Sequence, residues 1–299
     1  MKDEIVIAEA MNQEVRIHAA RSTDTVKAMQ EAFESSATCT AALGWVLTVT
    51  GLIASDLKQK EEHVRVRIRG GGPIGLIVAE ADGDGNVRGY GDNMDLYAAR
   101  ADGHLDVGRV VGNNGTLQVA RDMGLREPFT GTVELASGEI GEDFARYFAI
   151  SEQTPSVVTV GVLVGTDSSV LAAGGMIIQL LPGASEETIS ALEKLAANMR
   201  PMSEYMKDGY SAEALVTHLF ADAEILAKKP LRWHCGCSKE RFSGALLTLK
   251  KEDLRDMIEE DGGAEIVCQF CRKKYRFSRE ELEEILNAKT NVENRKRTD

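Results

Sequence analysis

The chain has 299 residues, 43% of them apolar, so it can bury a substantial core, and its length predicts two domains. Its 35 basic and 47 acidic residues give a net charge of -12, which argues against a nucleic-acid-binding surface over the whole chain. The acidity belongs to the first 230 residues, because residues 231–299 contain 15 basic and 14 acidic side chains.

The start of the chain has no basic region followed by an apolar stretch of signal-peptide length, so we expect a cytoplasmic protein with reduced thiols. Residues 35–55 contain no charge, yet threonines and glycines dilute their hydrophobicity. A membrane span is richer in large apolar residues. We therefore expect a buried core helix with Cys39 packed as a small apolar side chain, and no membrane partner.

Residues 63–69 form the clearest strand pattern, because Val64, Val66 and Ile68 alternate with three arginines. Such alternation is typical of an antiparallel sheet with one face in solvent. The other predicted elements of the first 182 residues are strands at 5–10, 14–19, 74–79, 116–121, 132–135, 157–164 and 176–181 and helices at 23–33 and 139–150. The sequence therefore predicts an α+β fold with a mainly antiparallel N-terminal domain.

Two glycine-rich segments imitate ligand-binding motifs. Residues 70–75 satisfy the pattern G-x-G-x-x-G, but a strand pattern follows, whereas a dinucleotide site needs the N-terminus of a helix there. Residues 82–86 resemble the start of a calcium loop, but Val87 occupies the position that requires glycine. We interpret both segments as turns between strands.

Residues 183–230 are predicted to form an amphipathic helical linker. Ser185 is a suitable N-cap, and apolar residues recur at helical spacing up to Pro201 and again after Ser211. Their apolar faces either pack permanently against the first domain or are covered only under some conditions. The candidate client-binding residues on these faces are Ile189, Leu192, Met199, Leu215 and Leu219.

Four of the five cysteines form two tight pairs in the last quarter of the chain, Cys235-Gly236-Cys237 and Cys268-Gln269-Phe270-Cys271. Four thiolates from two turns are the ligand set of a tetrahedral zinc site. A tail of roughly 60 residues has a small core, so a bound metal would stabilise it.

The motif alone leaves three uses of these thiols open. The first is a purely structural zinc site, and the second is thiol redox chemistry without metal. The third is a zinc site gated by oxidation, because each pair is close enough in sequence to close as a short disulfide. The one-residue spacing of Cys235 and Cys237 is uncommon in structural zinc ribbons and favours the third use.

Two other classes of protein remain as alternatives. Basic residues at 272–274, 276 and 295–297 are compatible with a zinc-ribbon nucleic-acid-binding adaptor, although a solvated basic face explains them equally. A thiol-disulfide oxidoreductase would place C-x-x-C at the start of a helix, whereas Cys268 follows a predicted strand. We find no Ser/His/Asp set, and the five histidines do not cluster, so we predict no catalytic residues and no enzyme.

The cysteine pairs lie within a longer motif, WHCGCSKER at residues 233–241 and EEDGGAEIVCQFC at residues 259–271, followed by Tyr275 and Phe277. With further blocks at residues 41–44, 84–90, 137–148 and 151–156, the chain resembles the heat shock protein 33 family over nearly its full length. Cys39 and Trp45 depart from the residues that the family leads us to expect.

The resemblance implies an ATP-independent holding chaperone that is inactive when reduced and zinc-bound and active when oxidised. It implies one zinc ion per chain, bound by Cys235, Cys237, Cys268 and Cys271. It further implies that oxidation joins Cys235 to Cys237 and Cys268 to Cys271, releases zinc and unfolds the tail. The linker would then bind unfolded client proteins, and the active form would be a homodimer. A nucleic-acid partner is not expected, because the charge of the whole chain opposes it.

The resulting domain organisation has four parts. They are a chaperone core at residues 1–182, the amphipathic helical linker at 183–230, a zinc-binding redox-switch domain at 231–291 and a tail at 292–299.

Overall fold

The computed structural model describes the backbone of residues 2–298 and the side chains of residues 2–290. The chain divides into two compact units, Met1–His234 and Cys235–Asp299. The second unit begins four residues after the predicted boundary at 231. The helices of the predicted linker belong to the first unit, and the division between residues 182 and 183 stays a prediction. The side chains of the predicted tail, residues 292–299, lie outside the described residues.

The strands are β1 Glu4–Ala10, β2 Val15–Arg21, β3 His63–Arg69, β4 Leu76–Asp82, β5 Asn86–Gly91, β6 Thr116–Asp122, β7 Phe129–Glu134, β8 Ser156–Val164, β9 Val170–Leu180, β10 Glu224–Pro230, β11 Arg232–Trp233, β12 Gly263–Val267 and β13 Lys274–Ser278. The helices are α1 Thr23–Phe33, α2 Ala37–Ala54, α3 Val107–Val111, α4 Ile140–Ser151, α5 Glu186–Asn198, α6 Met202–Lys207, α7 Ala212–Leu219, α8 Lys239–Leu246, α9 Lys251–Glu259 and α10 Arg279–Thr298.

The first unit contains two sheets with α2 packed between them. One sheet has the strand order β10-β1-β2-β9-β8 and the other β11-β5-β4-β3-β6-β7. All neighbouring strands are antiparallel except β11, which pairs parallel to β5. This arrangement confirms the predicted α+β class with a mainly antiparallel first domain.

Helix α2 is the centre of the core, as the uncharged segment 35–55 predicted. By length and composition it could cross a membrane, but 89% of its residues are buried inside the protein. Cys39 is fully buried, as expected for a small apolar side chain. Gly44 lets the helix approach α1 closely, because a methyl group at this position would lie 2.9 Å from Val26.

In strand β3 the alternating sequence pattern determines which side chains face the core and which face solvent. Its three apolar side chains are fully buried, and Arg65, Arg67 and Arg69 are exposed. The glycine-rich segments are turns, as predicted: β4 rather than a helix follows residues 70–75. The predicted elements did not include β5, which follows the turn at residues 82–86 and completes the pairing of β4.

The predicted helical linker is helical only as far as Leu219. Residues 224–230 form β10 and not part of a helix, which corrects the expectation for this segment. Half-buried and exposed side chains alternate along it, and it adds to the edge of β1. The strand exists because β1 presents an unpaired edge, which is a tertiary feature that periodicity within the segment does not reveal.

Helices α5, α6 and α7 cover the outer face of the five-stranded sheet. Leu192 and Leu215 are buried there against apolar side chains of β1, β2 and β9, and Ile189, Met199 and Leu219 are half-buried. The apolar stripes of the linker therefore pack against the first unit, which is one of the two explanations that the sequence left open.

The second unit is small. Three helices and the β12–β13 hairpin surround six buried apolar side chains among the described residues: Leu246, Leu254, Ile258, Phe277, Leu282 and Ile285. A capping box is present at the start of α10. Ser278 Oγ accepts a hydrogen bond from Glu281 N (3.3 Å), and Glu281 Oε2 accepts one from Ser278 N (2.9 Å).

Candidate metal centre

The first cysteine pair lies just before α8. Ser238 caps this helix by accepting a hydrogen bond from Arg241 N (3.3 Å). The guanidinium of Arg241 in turn donates to the carbonyl of Gly236, the residue between the two cysteines (2.8 Å). The capped helix therefore determines the direction in which the turn presents Cys235 and Cys237.

The second pair lies in the connection between β12 and β13. Cys268 N donates to Lys273 O (2.9 Å), and Arg272 N donates to Cys268 O (2.8 Å), which closes a tight turn around Cys271. Arg272 adopts a positive φ of 60° in this turn. Because Cys268 and Cys271 belong to a hairpin and not to the start of a helix, the arrangement differs from that expected of a thiol-disulfide oxidoreductase.

The two turns bring the four sulfurs into one cluster. All four Sγ atoms lie within 4.8 Å of one another, and two of the separations are 3.7 Å, from Cys235 to Cys268, and 3.3 Å, from Cys237 to Cys271. All five cysteines of the chain are thiols rather than disulfides in this structure. Cys268 is buried and the other three cluster cysteines are half-buried, so solvent reaches part of the cluster.

Tyr275, at the start of β13, supports the cluster through its hydroxyl. Its oxygen lies 3.1 Å from Cys237 Sγ and donates to the carbonyl of Cys237 (3.0 Å). The sequence motif contained Tyr275, but its contact with a cysteine depends on the pairing of β12 with β13. Such partners orient the ligands of metal sites.

The thiols influence one another's ionisation. Burial acts to raise the pKa of Cys237, but hydrogen bonds from Tyr275 and from the other three thiols outweigh it and lower the value to about 7. Burial raises the pKa of Cys235 and of Cys271, and their cysteine neighbours raise both further. A divalent cation bound among these sulfurs would favour their thiolate forms.

The donor set fits a soft, tetrahedral metal ion. A zinc ion with Zn–S bonds of about 2.3 Å separates its sulfur ligands by about 3.8 Å, close to the distances observed. The four residues can therefore hold one metal ion. Among the described residues they form the only group of three or more His, Cys, Asp or Glu side chains so arranged, and neither His234 nor Cys39 is part of it.

Comparison with known proteins identifies the family. A family model described as Hsp33 protein matches residues 3–278. The chain belongs to the Hsp33 family. The 33 kDa chaperonin of Bacillus subtilis (strain 168) is 47% identical over 290 residues, which are 96% of this chain and 99% of the relative. That of Bacillus velezensis is 46% identical with the same coverage.

The fold of a solved Hsp33 structure agrees with these relationships. The crystal structure of the 33 kDa chaperonin from Thermotoga maritima matches with a TM-score of 0.89 at 33% sequence identity, covering 97% of this chain and 100% of that one. The resemblance noted in the sequence is therefore confirmed at the level of family and fold.

The basic residues and the fifth cysteine that the sequence singled out are not ligands of the sulfur cluster. Lys274 and Arg276 form ion pairs with Glu265 (3.1 and 2.9 Å), so part of the basic segment is a solvated, paired face. The side chains of residues 295–297 lie outside the described residues. Cys39 is within hydrogen-bonding distance of the carbonyl of Leu96 (3.4 Å), and burial raises the pKa of its thiol.

Proposed function

We propose that this chain is a redox-regulated, ATP-independent holding chaperone that binds unfolding proteins and prevents their aggregation. One observation carries the proposal: in a member of the Hsp33 family, two cysteine pairs meet in a four-sulfur cluster within a unit that has a small apolar core. The name of the relatives, 33 kDa chaperonin, supports the chaperone role.

In the reduced state we propose that Cys235, Cys237, Cys268 and Cys271 bind one zinc ion as thiolates. A bound zinc ion contributes on the order of 10 kcal/mol to the folding of comparably small zinc modules. Whole domains are stable by only about 5–15 kcal/mol, so the second unit stays folded only while its thiolates hold the metal.

Oxidation turns the ligands into disulfides. By family similarity, Cys235 pairs with Cys237 and Cys268 with Cys271. Each pair of thiolates gives two electrons to one molecule of hydrogen peroxide, which takes up two protons from the solvent and is reduced to two molecules of water while the sulfur–sulfur bond forms. Disulfide sulfurs are no longer thiolate ligands, so the four side chains release the metal and the unit unfolds.

The side chains proposed to bind clients are Ile189, Leu192, Met199, Leu215 and Leu219. In the reduced state Leu192, Met199, Leu215 and Leu219 pack in the cluster on the five-stranded sheet, so α5 and α7 must separate from it before clients can contact them. Ile189 lines a pocket beside this cluster. This pocket of about 470 Å³, open to solvent, lies where α5 meets the sheet, and its lining is mainly apolar but includes Ser156 and Glu193. Because this contact is incompletely packed, we expect α5 to separate first.

The proposal includes the remaining features of the family resemblance. The activated form is a homodimer, the chain works in the cytoplasm without a membrane or nucleic-acid partner, and it catalyses no reaction.

The test compares reduced with peroxide-oxidised protein in suppressing light scattering by a thermally unfolded client, with zinc release followed in the same samples. We expect suppression by the oxidised form alone, together with release of about one zinc ion per chain. Cys39→Ala is the matched control, because it removes a thiol outside the cluster, and it should behave like the unmodified chain. If the reduced and the oxidised protein suppressed client aggregation equally, the sulfur cluster would have only a structural role.

A further inference from the structure

The five-stranded sheet has a free edge at β8. Within the described residues, β9 is the only strand that pairs with β8. Leu180 N donates to Pro155 O (3.2 Å), so these two residues form a hydrogen-bonded pair. Hydrogen-bonded pairs alternate along an antiparallel ladder, so the odd-numbered residues of β8 as far as Leu163 exchange hydrogen bonds with β9. The N–H and C=O groups of Val158, Val160 and Val162 therefore face away from the sheet.

The two edges of this sheet differ in how they resist pairing with another chain. The edge strand β10 contains Glu224, Lys228, Lys229 and Pro230, and its register is interrupted opposite Ile7 and Ala8. Charges, proline and bulges are the usual means of blocking an edge. Strand β8, with the sequence SVVTVGVLV, has no charge and no proline, and its register is regular up to Leu163.

Space for an additional strand exists beside the second half of β8. The N-terminal end of α4 covers the first half, since a methyl group on Gly141 would lie 3.1 Å from Val158 O. From Val160 onwards the edge borders a groove of about 570 Å³. One wall contains Trp45 and Tyr97, and the other contains Pro201 and Ser203.

The backbone groups along this groove indicate what binds there. Among the described residues, the outward backbone groups of Val160 and Val162 form no backbone hydrogen bond. An extended polypeptide supplies both donors and acceptors at the required spacing.

We propose that an extended segment of a client polypeptide, about five residues long, adds to the free edge of β8 as a sixth strand. This inference rests on the proposed chaperone function and specifies a second client contact besides the linker. Val158 and Val160 point to the side of the sheet that contains α2, and Val157 and Leu163 to the other. A client segment with alternating apolar and polar residues therefore matches the groove, with its apolar side chains beside Trp45 and Tyr97.

The primary test is amide hydrogen exchange of the oxidised full-length protein with a synthetic peptide of alternating valine and threonine. We expect slower exchange at Val160 and Val162 and no change at Thr159 and Gly161, which already bond to β9. The same peptide N-methylated at alternate nitrogens should bind at least about tenfold more weakly, because it lacks the backbone donors. Equal binding of both peptides, or protection without this alternation, would overturn the proposal.

Variants test the same edge with an unfolded protein as client. Val160→Pro removes an outward N–H without removing a bond to β9, and it should weaken suppression of aggregation at least about fivefold. Lys228→Pro is the matched control on the opposite edge of the sheet. Leu231 N donates to Asp3 O, and hydrogen-bonded residues alternate along an antiparallel strand, so the N–H of residue 228 points away from β1.

The outcomes separate this inference from the proposed function. If the oxidised chain suppresses no aggregation, the chaperone function itself fails. If Val160→Pro suppresses aggregation as well as the unmodified chain does, and Val160 and Val162 stay unprotected, the function stands and the edge proposal fails. If both amides become protected with rising protein concentration in the absence of client, a second copy of the chain occupies the edge, which contradicts the client assignment.

Discussion

The two compact units of this protein are stabilised in different ways. In Met1–His234, α2 is enclosed by two sheets and buries a continuous apolar cluster. In Cys235–Asp299, six buried apolar side chains are accompanied by a four-sulfur cluster. An oxidant changes thiols and leaves apolar burial intact, so the same chemical event should unfold one unit and spare the other. A chain of this kind can therefore respond to oxidation without losing the fold of the unit that carries the proposed client-binding side chains.

Metal removal should give the largest difference between the units. We expect a strong chelator to unfold Cys235–Asp299, because a structural zinc site contributes on the order of 10 kcal/mol, while Met1–His234 keeps its structure. Limited proteolysis and amide exchange, read separately for each unit, measure this. Protection that persists in the second unit after chelation would show that its apolar core suffices.

A core substitution in the first unit should destabilise that unit and leave metal binding by the second unit unchanged. Leu47→Ala removes a fully buried side chain of α2 and should lower the free energy of unfolding of this unit by about 2–5 kcal/mol. The zinc content of the reduced protein should stay at that of the unmodified chain. Denaturant unfolding and a colorimetric zinc assay measure the two effects. A parallel loss of zinc would mean that the units do not fold independently.

Removing the hydroxyl beside the sulfur cluster should weaken metal binding without unfolding either unit. Tyr275→Phe deletes the contact with Cys237 and should lower zinc affinity by about tenfold, at the lower end of the range for supporting residues of metal sites. Competition with a chromophoric chelator measures the affinity. Tyr97→Phe is the control, since Tyr97 is 72% exposed and belongs to the first unit.

The smallest expected effect is a pH dependence confined to the first unit. Burial lowers the pKa of His18, although the Asp56 carboxylate opposes the shift. The unfolded chain takes up a proton near pH 6.5 more readily than the folded chain does, so stability is lost as the pH falls below about 6.5. We expect a lower free energy of unfolding at pH 5.5 than at pH 7.5, and a smaller difference in His18→Gln, from denaturant unfolding at both values. An unchanged dependence in the variant would assign the effect to other groups.

Much of the fold followed from local patterns. The alternation in β3 and the uncharged segment that became α2 each depend on neighbours within a few residues, and each was predicted correctly. Strands β5 and β10 were not, because β5 follows a glycine-rich turn and β10 needs the edge of β1. The four cysteines were identifiable from spacing and family resemblance, whereas the support from Tyr275 needed the β12–β13 hairpin.

The sequence by itself determined the family, the class of fold and the residues able to hold a metal, because cysteine spacing and short-range periodicity are properties of neighbouring residues. Tertiary structure decided which surfaces are covered. It placed the linker helices on the outer face of the five-stranded sheet, gave one edge of that sheet to β10 and left β8 open beside Trp45. Coverage depends on residues far apart in the chain, so no local pattern within β8 or the linker could have revealed it.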